Sequence, residues 1–242
     1  MFVDLHFHCL PGIDDGPRDW DAAVALCRAA AADGTTHIIA TPHVLRDPWI
    51  NDDPAARDAL VAKLNELVGG APVILPGSEV YYSHELVEFW EAGRAKGATG
   101  PLTPLNRSSF LLIEFPIREV PRNAGAILHE LVLLGITPLI AHPERNLELA
   151  EDPDRLASLI ERGAVTQITA GSYLGEFGQR AMESAFEITD AGRAFLVASD
   201  AHSVDRRPPR MAAARALIEA RWGAETATQL FETNPRAAAG LG

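Results

Sequence analysis

Cysteine, lysine and long apolar runs are all scarce in this sequence of 242 residues. The two cysteines, Cys9 and Cys27, are too few for a disulfide framework. No segment near the first methionine has the character of a signal peptide, so we expect a reduced, cytoplasmic protein. Lysine occurs only at Lys63 and Lys96, which argues against a polybasic patch for binding a membrane surface.

A membrane-spanning segment is also missing from the pattern. The most apolar stretch, residues 126–141, is interrupted by His129, Glu130, Gly135 and Pro138. It is too short and too broken to cross a bilayer, so no membrane insertion is expected.

Positive charge is the minority charge here. The sequence has 33 acidic residues against 21 Lys and Arg, which gives a formal net charge of -12. This balance disfavours nucleic acid as the main partner, because such binding depends on basic side chains that neutralise phosphates. An anionic substrate would therefore need a local source of positive charge.

The rest of the composition is that of an ordinary globular protein, with 47% hydrophobic and 22% charged residues. No low-complexity linker or change of composition marks a domain boundary. We therefore expect residues 1–242 to form a single domain.

Short apolar runs of β type alternate with segments of helical spacing along the whole chain. The β-type runs are Phe2–Leu5, Thr36–Ala40, Val73–Leu75, Phe110–Ile113, Thr137–Ile140, Ala164–Ile168 and Phe195–Ala198. The helical segments are Trp20–Ala32, Pro54–Val68, His84–Ala95, Asn123–Leu134, Pro153–Arg162, Glu176–Ala191 and a stretch from Pro209 onward. This alternation predicts parallel strands with right-handed crossovers, in an open doubly wound sheet or a closed α/β barrel.

Polar residues follow six of the seven predicted strands and favour the barrel. These strand-end residues are His6 and His8, His43, Glu79, Glu114, His142, and Asp200 with His202. In a barrel the C-terminal ends of the strands converge on one mouth, where active sites form.

Histidine beside carboxylate at one mouth indicates a metal site. His6 and His8 lie on the same side of an extended strand because side chains alternate, and Asp200 and His202 repeat that spacing. Imidazole mixed with carboxylate suits divalent Zn, Mn or Fe. The other histidines, His37, His84 and His129, are interpreted as structural or solvated.

Two arginines near the expected mouth favour a phosphate substrate. Arg145 lies three residues after His142, and Arg207 lies five after His202. A guanidinium offers a planar fork to phosphoryl oxygens. Amidohydrolase-type hydrolysis is a rival chemistry. It commonly uses a carboxylated lysine at a strand end, where this chain has Glu114, and both lysines lie in helix-like segments.

These residues also carry a family resemblance. The sequence is similar to the PHP (polymerase and histidinol phosphatase) superfamily, and within it to the bacterial metal-dependent protein-tyrosine phosphatases of the CpsB/YwqE type. The matching blocks are DLHFHCLPGIDDG at 4–16, ATPH at 40–43, GSEVYY at 77–82, LIEFP at 112–116, IAHPERN at 140–146, QITAGS at 167–172 and SDAHSVDRRPP at 199–209.

The resemblance implies a distorted (β/α)7 TIM-like barrel with three divalent metal ions, usually Mn²⁺, with Fe, Zn or Co as alternatives. One ion would be held by His6, His8, Glu114 and Asp200. A second would be held by Asp15, His43 and His202, with Asp14 as the rival of Asp15. Glu79 and His142 would hold the third, with Glu114 bridging. Arg145 and Arg207 match the family's phosphate-binding arginines, with Arg206 as the rival of Arg207.

The implied activity is hydrolysis of phosphotyrosine through in-line attack by a metal-bridging hydroxide on phosphorus. The alternative is a phosphatase for a small phosphomonoester, such as histidinol phosphate, on the same site. The implied partner is a tyrosine-phosphorylated protein, such as a bacterial tyrosine kinase linked to polysaccharide synthesis. A barrel that has lost its chemistry and only binds ligands is the rival from another class. The loop after His43 departs from many relatives, and we expect it to border the substrate. The oligomeric state does not follow from these patterns.

Overall fold

A computed structural model of the chain describes residues 1–95 and 100–242. Lys63 lies on a helix, as expected, whereas Lys96 falls outside the described residues. Within the described ranges, no helix is both long enough and apolar enough to cross a membrane.

The seven predicted strands are confirmed, and each differs from its expected bounds by two residues or fewer at either end. Two short strands, β3 and β5, were not predicted. The strands are β1 (Phe2–Phe7), β2 (Thr35–Ala40), β3 (His43–Val44), β4 (Val73–Pro76), β5 (Glu79–Tyr81), β6 (Phe110–Glu114), β7 (Thr137–Ala141), β8 (Val165–Thr169) and β9 (Leu196–Ala198).

The predicted helical segments are helices as well, and their ends follow local chemistry. The Asp19 side chain accepts a hydrogen bond from the Ala22 amide at the start of α1, and α2 begins at Pro54 and ends at Gly69, which has a φ of 82°. The helices are α1 (Trp20–Ala32), α2 (Pro54–Val68), α3 (Leu86–Ala95), α4 (Ala124–Leu133), α5 (Leu147–Glu151), α6 (Pro153–Glu161), α7 (Ala170–Tyr173), α8 (Gln179–Asp190), α9 (Met211–Thr228) and α10 (Asn234–Ala238).

The strands form two parallel sheets that together make a distorted barrel. One sheet has the order β1-β2-β4 and the other β3-β5-β6-β7-β8-β9. After a short break at Thr41-Pro42 the chain of β2 continues as β3, and after Gly77-Ser78 that of β4 continues as β5. The two short strands are therefore continuations of predicted ones in the second sheet. At the other side, the Asp200 amide donates to the His6 carbonyl over 2.8 Å, which joins β1 to the end of β9.

The break after β4 depends on a glycine. A Cβ atom at Gly77 would lie 2.6 Å from the Ile39 side chain and 3.3 Å from the Ala40 carbonyl oxygen. Only a residue without a side chain lets the chain cross β2 this closely. This crossing moves Glu79 into the second sheet, toward the ends of β6 and β7.

Apolar residues of both sheets fill the space beneath the mouth. One buried cluster contains Val3, Leu5, Ile39, Leu112, Leu139 and Leu196. On β6, Leu112 and Glu114 share a face because strand side chains alternate. The polar strand ends therefore stand directly above a packed apolar floor, as in barrels of the TIM type.

Candidate metal centre

All nine predicted metal ligands come together at the C-terminal ends of the strands. They form four overlapping groups, and the donor atoms within each group lie within 4.8 Å of one another. The groups are His8, Asp15, His43 and His202; His6, Glu79 and His142; His6, His8 and Asp200; and His43, Glu79 and Glu114. Parallel strands converge at this mouth, which explains why residues from 6 to 202 meet here.

Glu79 lies at the centre of these groups. Its Oε1 atom is 3.0 Å from His142 Nε2 and 3.2 Å from His6 Nε2. Its Oε2 atom is 2.8 Å from His43 Nδ1 and 3.4 Å from His8 Nε2. One carboxylate thus contacts four imidazoles, and its side chain is only 1% exposed. Glu79 therefore has the position of a bridging ligand.

Glu114 lies nearer the rim of the mouth than Glu79. The resemblance implied that Glu114 ligates with His6 and His8 and bridges to the ion of Glu79 and His142. Its oxygens lie 3.8 Å from His43 Nδ1 and 3.9 Å from His142 Nε2. The crossing at Gly77 brings Glu79 to the centre, so Glu114 stands nearer the rim.

The structure separates the two candidate aspartates, Asp14 and Asp15, by direction. Asp15 Oδ1 faces the cluster, 3.2 Å from His202 Nε2 and 3.3 Å from His43 Nε2. Asp14 Oδ2 lies behind His8, 2.8 Å from its Nδ1 atom. Asp15 is therefore placed to ligate and Asp14 to orient a ligand.

A second orienting contact was missed from the sequence. Gln167 Oε1 lies 2.8 Å from His6 Nδ1 and accepts from the His142 amide over 3.3 Å. Contacts of this kind fix the tautomer and the ring direction of a ligating histidine. Gln167 is a polar residue on a predicted strand, but a side-chain amide is not a typical metal ligand, so its role could not be predicted from the sequence.

Electrostatics divide the histidines into two kinds. Burial alone lowers the pKa of His6, but Glu79 and Asp200 outweigh it and raise that pKa to about 9. Burial also opposes protonation of His43, whose pKa nevertheless rises to about 10 because of Glu79 and Asp15. By contrast, burial and Arg145 lower the pKa of His142 to about 4.

The carboxylates also differ. Burial raises the pKa of Asp200, but His6, Arg207 and neighbouring cations overcome it and hold that pKa well below its usual range. Burial, reinforced by the charge of Glu79, raises the pKa of Glu114 to about 7. The centre is therefore strongly ionic near Asp200 and much less so near Glu114.

Two ligand positions have left-handed backbone. His142 has a φ of 34° and Asp200 a φ of 54°, and each directly follows, or lies within two residues of, the end of a strand. Non-glycine residues in this region cost roughly 1–3 kcal/mol each and cluster at functional sites. The strain turns these side chains into the mouth.

Both predicted phosphate arginines reach this centre. Arg145 and Arg207 donate to the same atom, Asp200 Oδ2, and Arg207 Nη1 also lies 3.1 Å from His202 Nε2. Their guanidinium carbons stand over the ring of Phe177, at 4.3 and 5.6 Å from its centroid. Arg206 is exposed and lines the cleft that borders Asp15 and His202.

A third guanidinium was missed from the sequence. Arg46, in the loop after His43, has a guanidinium nitrogen 2.7 Å from His43 Nε2 and 3.0 Å from Glu114 Oε2. The sequence showed the loop but not its direction, because only the folded chain brings residue 46 beside residue 114. Arg46 thus places this loop at the mouth, and that the loop borders the substrate stays a prediction.

The three histidines set aside from the site lie outside all four ligand groups. The ring of His37 is 3.0 Å from the Thr36 hydroxyl, and that of His129 is 3.3 Å from the Arg162 carbonyl oxygen.

A cleft of about 760 Å³ borders Asp15 and His202 and gives access to the centre from solvent.

The donors present suit divalent metal ions. Imidazole nitrogens and carboxylate oxygens are the ligands that Zn, Mn and Fe share. The Oε2 atoms of Glu79 and Glu114 are buried and receive no hydrogen bond of normal geometry. These buried oxygens face Arg46 and His43, and a divalent ion would satisfy them in the same way when bound.

Comparison with known proteins decides the family. The family described as capsular polysaccharide synthesis, CpsB/CapC, matches residues 2–239. The chain belongs to the CpsB/CapC family. It is 37% identical to the tyrosine-protein phosphatase YwqE of Bacillus subtilis, over 95% of this chain and 89% of that protein. It is 31% identical to the tyrosine-protein phosphatase CpsB of Streptococcus pneumoniae, over 97% of this chain and 96% of that protein.

Solved structures of this family agree with the fold. A crystal structure from work on YwqE and CpsB, described as unique metal-dependent tyrosine phosphatases, superposes with a TM-score of 0.90 at 36% identity. It covers 99% of this chain and 94% of that chain. An organophosphorus hydrolase of Deinococcus radiodurans, at 16% identity and a TM-score of 0.62, shares the fold alone.

Proposed function

We propose that this chain is a metal-dependent phosphomonoester hydrolase that acts as a protein-tyrosine phosphatase. The observation that carries the proposal is the convergence of nine ligand side chains and two arginines on one mouth. The relatives of the CpsB/CapC family that carry the name of tyrosine phosphatase support it.

Three divalent ions, most readily Mn²⁺, fit the ligand groups, with Fe, Zn or Co as the alternatives. His6, His8, Glu79 and Asp200 would hold one ion, and Asp15, His43 and His202 a second. Glu79, Glu114 and His142 would hold the third. This assignment places Glu79 in the bridging position because of its four short contacts with imidazoles.

Divalent ions in such a cluster lower the pKa of water and neutralise charge on a transferring phosphoryl group. The protein supplies the rest of the chemistry. Arg145 and Arg207 bind the equatorial phosphoryl oxygens, where charge develops. Asp14 and Gln167 hold His8 and His6 in their ligating directions. A phenolate is a good leaving group, so no side chain is assigned as a dedicated general acid.

The substrate under this proposal is a tyrosine-phosphorylated protein, with a bacterial tyrosine kinase of polysaccharide synthesis as the specific partner. The description of the family supports the link to capsular polysaccharide. We also propose that residues 1–242 form one domain and that the protein acts in the cytoplasm.

Turnover of p-nitrophenyl phosphate and a phosphotyrosine peptide with Mn²⁺, paired with elemental analysis of the purified protein, tests the proposal. We expect bound metal and a preference for the peptide over histidinol phosphate. His142→Ala and Asp200→Ala should abolish turnover, whereas Arg206→Ala, the matched exposed control, should not. Full activity after complete removal of metal would refute the mechanism, and a preference for histidinol phosphate would establish the alternative.

A further inference from the structure

The loop after His43 is held in one conformation at the mouth. The Leu45 amide donates to the Ile50 carbonyl over 2.9 Å, and the Arg46 amide donates to the Trp49 carbonyl over 3.1 Å. The side chain of Asn51 then donates to the carbonyl of His43 over 2.8 Å. A tight turn tied back to its own strand presents residues 46–49 as a fixed surface.

Two aromatic side chains lie beside proposed metal ligands here, Trp49 of this loop and Tyr81 at the end of β5. The Trp49 ring stacks on the His43 imidazole, with centroids 5.3 Å apart and an interplanar angle of 18°. Tyr81 is the register partner of Glu114 on the neighbouring strand, so it lies at the level of the mouth. Both aromatic side chains are only half-buried.

Arg46 joins these rings into one unit. Its guanidinium carbon lies 5.7 Å from the Trp49 centroid and 5.8 Å from the Tyr81 centroid. The same side chain forms an ion pair with Glu114 over 3.0 Å. It therefore links both rings to the edge of the centre at Glu114, whereas Arg145 and Arg207 contact Asp200.

The position of these rings is not explained by core packing. Neither Trp49 nor Tyr81 belongs to the buried clusters that form the core of the described residues. Ile50, next along the loop, is 50% exposed. Aromatic groups held at the edge of a polar site offer flat apolar area at little cost in conformational entropy.

We propose that Trp49 and Tyr81, held by Arg46, form the subsite for the aryl group of the substrate. The phenyl ring of a phosphotyrosine packs against this aromatic pair while its phosphoryl group meets Arg145 and Arg207 beside Asp200. The subsite selects aryl over alkyl phosphates. This inference rests on the proposed phosphatase function and names the part of the site that reads the leaving group.

Non-hydrolysable ligands test the subsite without relying on turnover. Affinities of the Mn²⁺-loaded protein for phenylphosphonate, methylphosphonate and inorganic phosphate are measured by calorimetry. We expect wild type to favour phenylphosphonate over methylphosphonate by roughly tenfold, the effect of one aromatic contact. The double variant Trp49→Leu, Tyr81→Leu should reduce that ratio to about one, with affinity for inorganic phosphate changed by less than about threefold.

Matched variants separate this role from a structural one. Trp49→Phe keeps an aromatic face and should retain most of the preference. Trp222→Leu removes a tryptophan from an equivalent pair on an outer helix, where Arg221 lies 4.9 Å from the ring, and should leave the ratio unchanged. If the double variant does not fold, Trp49→Leu alone is measured, with an expected loss of about half of the preference in logarithmic terms.

The outcomes are distinct. An unchanged ratio in a folded, metal-loaded double variant overturns the subsite, as does a wild-type protein that binds both phosphonates equally well. A wild-type protein that binds no phosphonate and no phosphate overturns the proposed function itself. A variant that loses metal together with the preference shows that the rings support the metal centre instead, and this also overturns the subsite.

Discussion

Two regions of the mouth contain the same kinds of side chain, arginine, aromatic ring and carboxylate, in different numbers. On one side, Arg145 and Arg207 share the ring of Phe177 and the carboxylate of Asp200. On the other, Arg46 alone is stacked on two rings and paired with Glu114. Each side thus combines guanidinium, aromatic ring and carboxylate.

The ratio of charges separates their roles. Asp200 is held ionised between two guanidinium groups, so its side of the mouth keeps an excess of positive charge. Glu114, with a pKa raised to about 7 by burial and by Glu79, has a single guanidinium partner. The first side suits a phosphoryl dianion and the second an apolar ring. Two guanidinium groups beside Asp200 and one beside Glu114 would therefore direct the phosphoryl group of the substrate toward Asp200 and its ring toward Glu114.

The largest effect is expected from removing the negative charge of Glu79, which lies at the centre of the ligand groups. Glu79→Gln keeps the shape of the side chain but takes away the carboxylate that contacts four histidines. We expect loss of bound metal and a fall in turnover of more than about 10³-fold. Glu114→Gln, the matched change at the rim, should keep more metal and lose only about tenfold. Elemental analysis and p-nitrophenyl phosphate kinetics measure both, and equal effects would contradict the central place of Glu79.

The next test compares the arginines directly. Arg145→Gln or Arg207→Gln should lower kcat/KM for a phosphotyrosine peptide by about 10²–10³-fold, because each removes a donor to developing charge. Metal content should stay at the wild-type level. Arg206→Gln is the matched control and should change kcat/KM by less than about twofold. A comparable loss in the control would mean that the sequence-based choice between Arg206 and Arg207 is wrong.

Proton release on metal binding is a smaller but distinct effect. After treatment with a chelator, His6 and His43 titrate near 9 and 10, above the ordinary value of 6.5, so both are protonated at pH 7. Binding of Mn²⁺ must then displace roughly two protons per chain, and its affinity must rise between pH 7 and 9. Calorimetry in buffers of different ionisation enthalpy measures the protons released.

The same shifts predict the stability of the chelated protein. Because both pKa values are raised by folding, their stabilising contribution is complete below pH 6.5 and is lost as pH rises through 9 to 10. Thermal unfolding between pH 6 and 10 follows this loss. Both predictions fail together if the affinity for Mn²⁺ does not depend on pH, because the imidazoles of His6 and His43 would then already be neutral at pH 7.

The mildest test concerns the ring under the two arginines. Phe177→Leu should weaken binding of inorganic phosphate by about three- to tenfold, because a stacked guanidinium is better fixed than a free one. Phe177→Tyr should restore most of the affinity. The preference for phenylphosphonate over methylphosphonate should not change, in contrast to the variants at Trp49. The reverse pattern would exchange the roles of the two aromatic surfaces.

Much of this could be predicted from residue patterns. Alternating β and helical segments predicted the parallel strands, and polar strand ends predicted the mouth, because strand polarity alone decides where those ends meet. The resemblance then added Asp15, which has no strand-end signal of its own. The nine residues proposed as ligands, which lie together at the mouth, could therefore be named from the sequence.

The arrangement among those ligands could not be read in the same way. Glu79 and Glu114 end neighbouring strands and have the same chemistry, and only the crossing at Gly77 decides which is central. Arg46 and Phe177 act through contacts with residues far along the chain, where spacing carries no information. Gln167 is an orienting group solely because of what lies 2.8 Å away.

The left-handed backbone at His142 has an evolutionary consequence. At a φ of 34° the backbone favours glycine and asparagine over most residues, so we expect a histidine there to be retained for its side chain. In a relative that no longer needs the imidazole, we expect glycine or asparagine at this position because both lower the backbone strain. Asparagine or glycine in place of His142 would thus identify, from sequence alone, relatives that keep the barrel but have given up its chemistry.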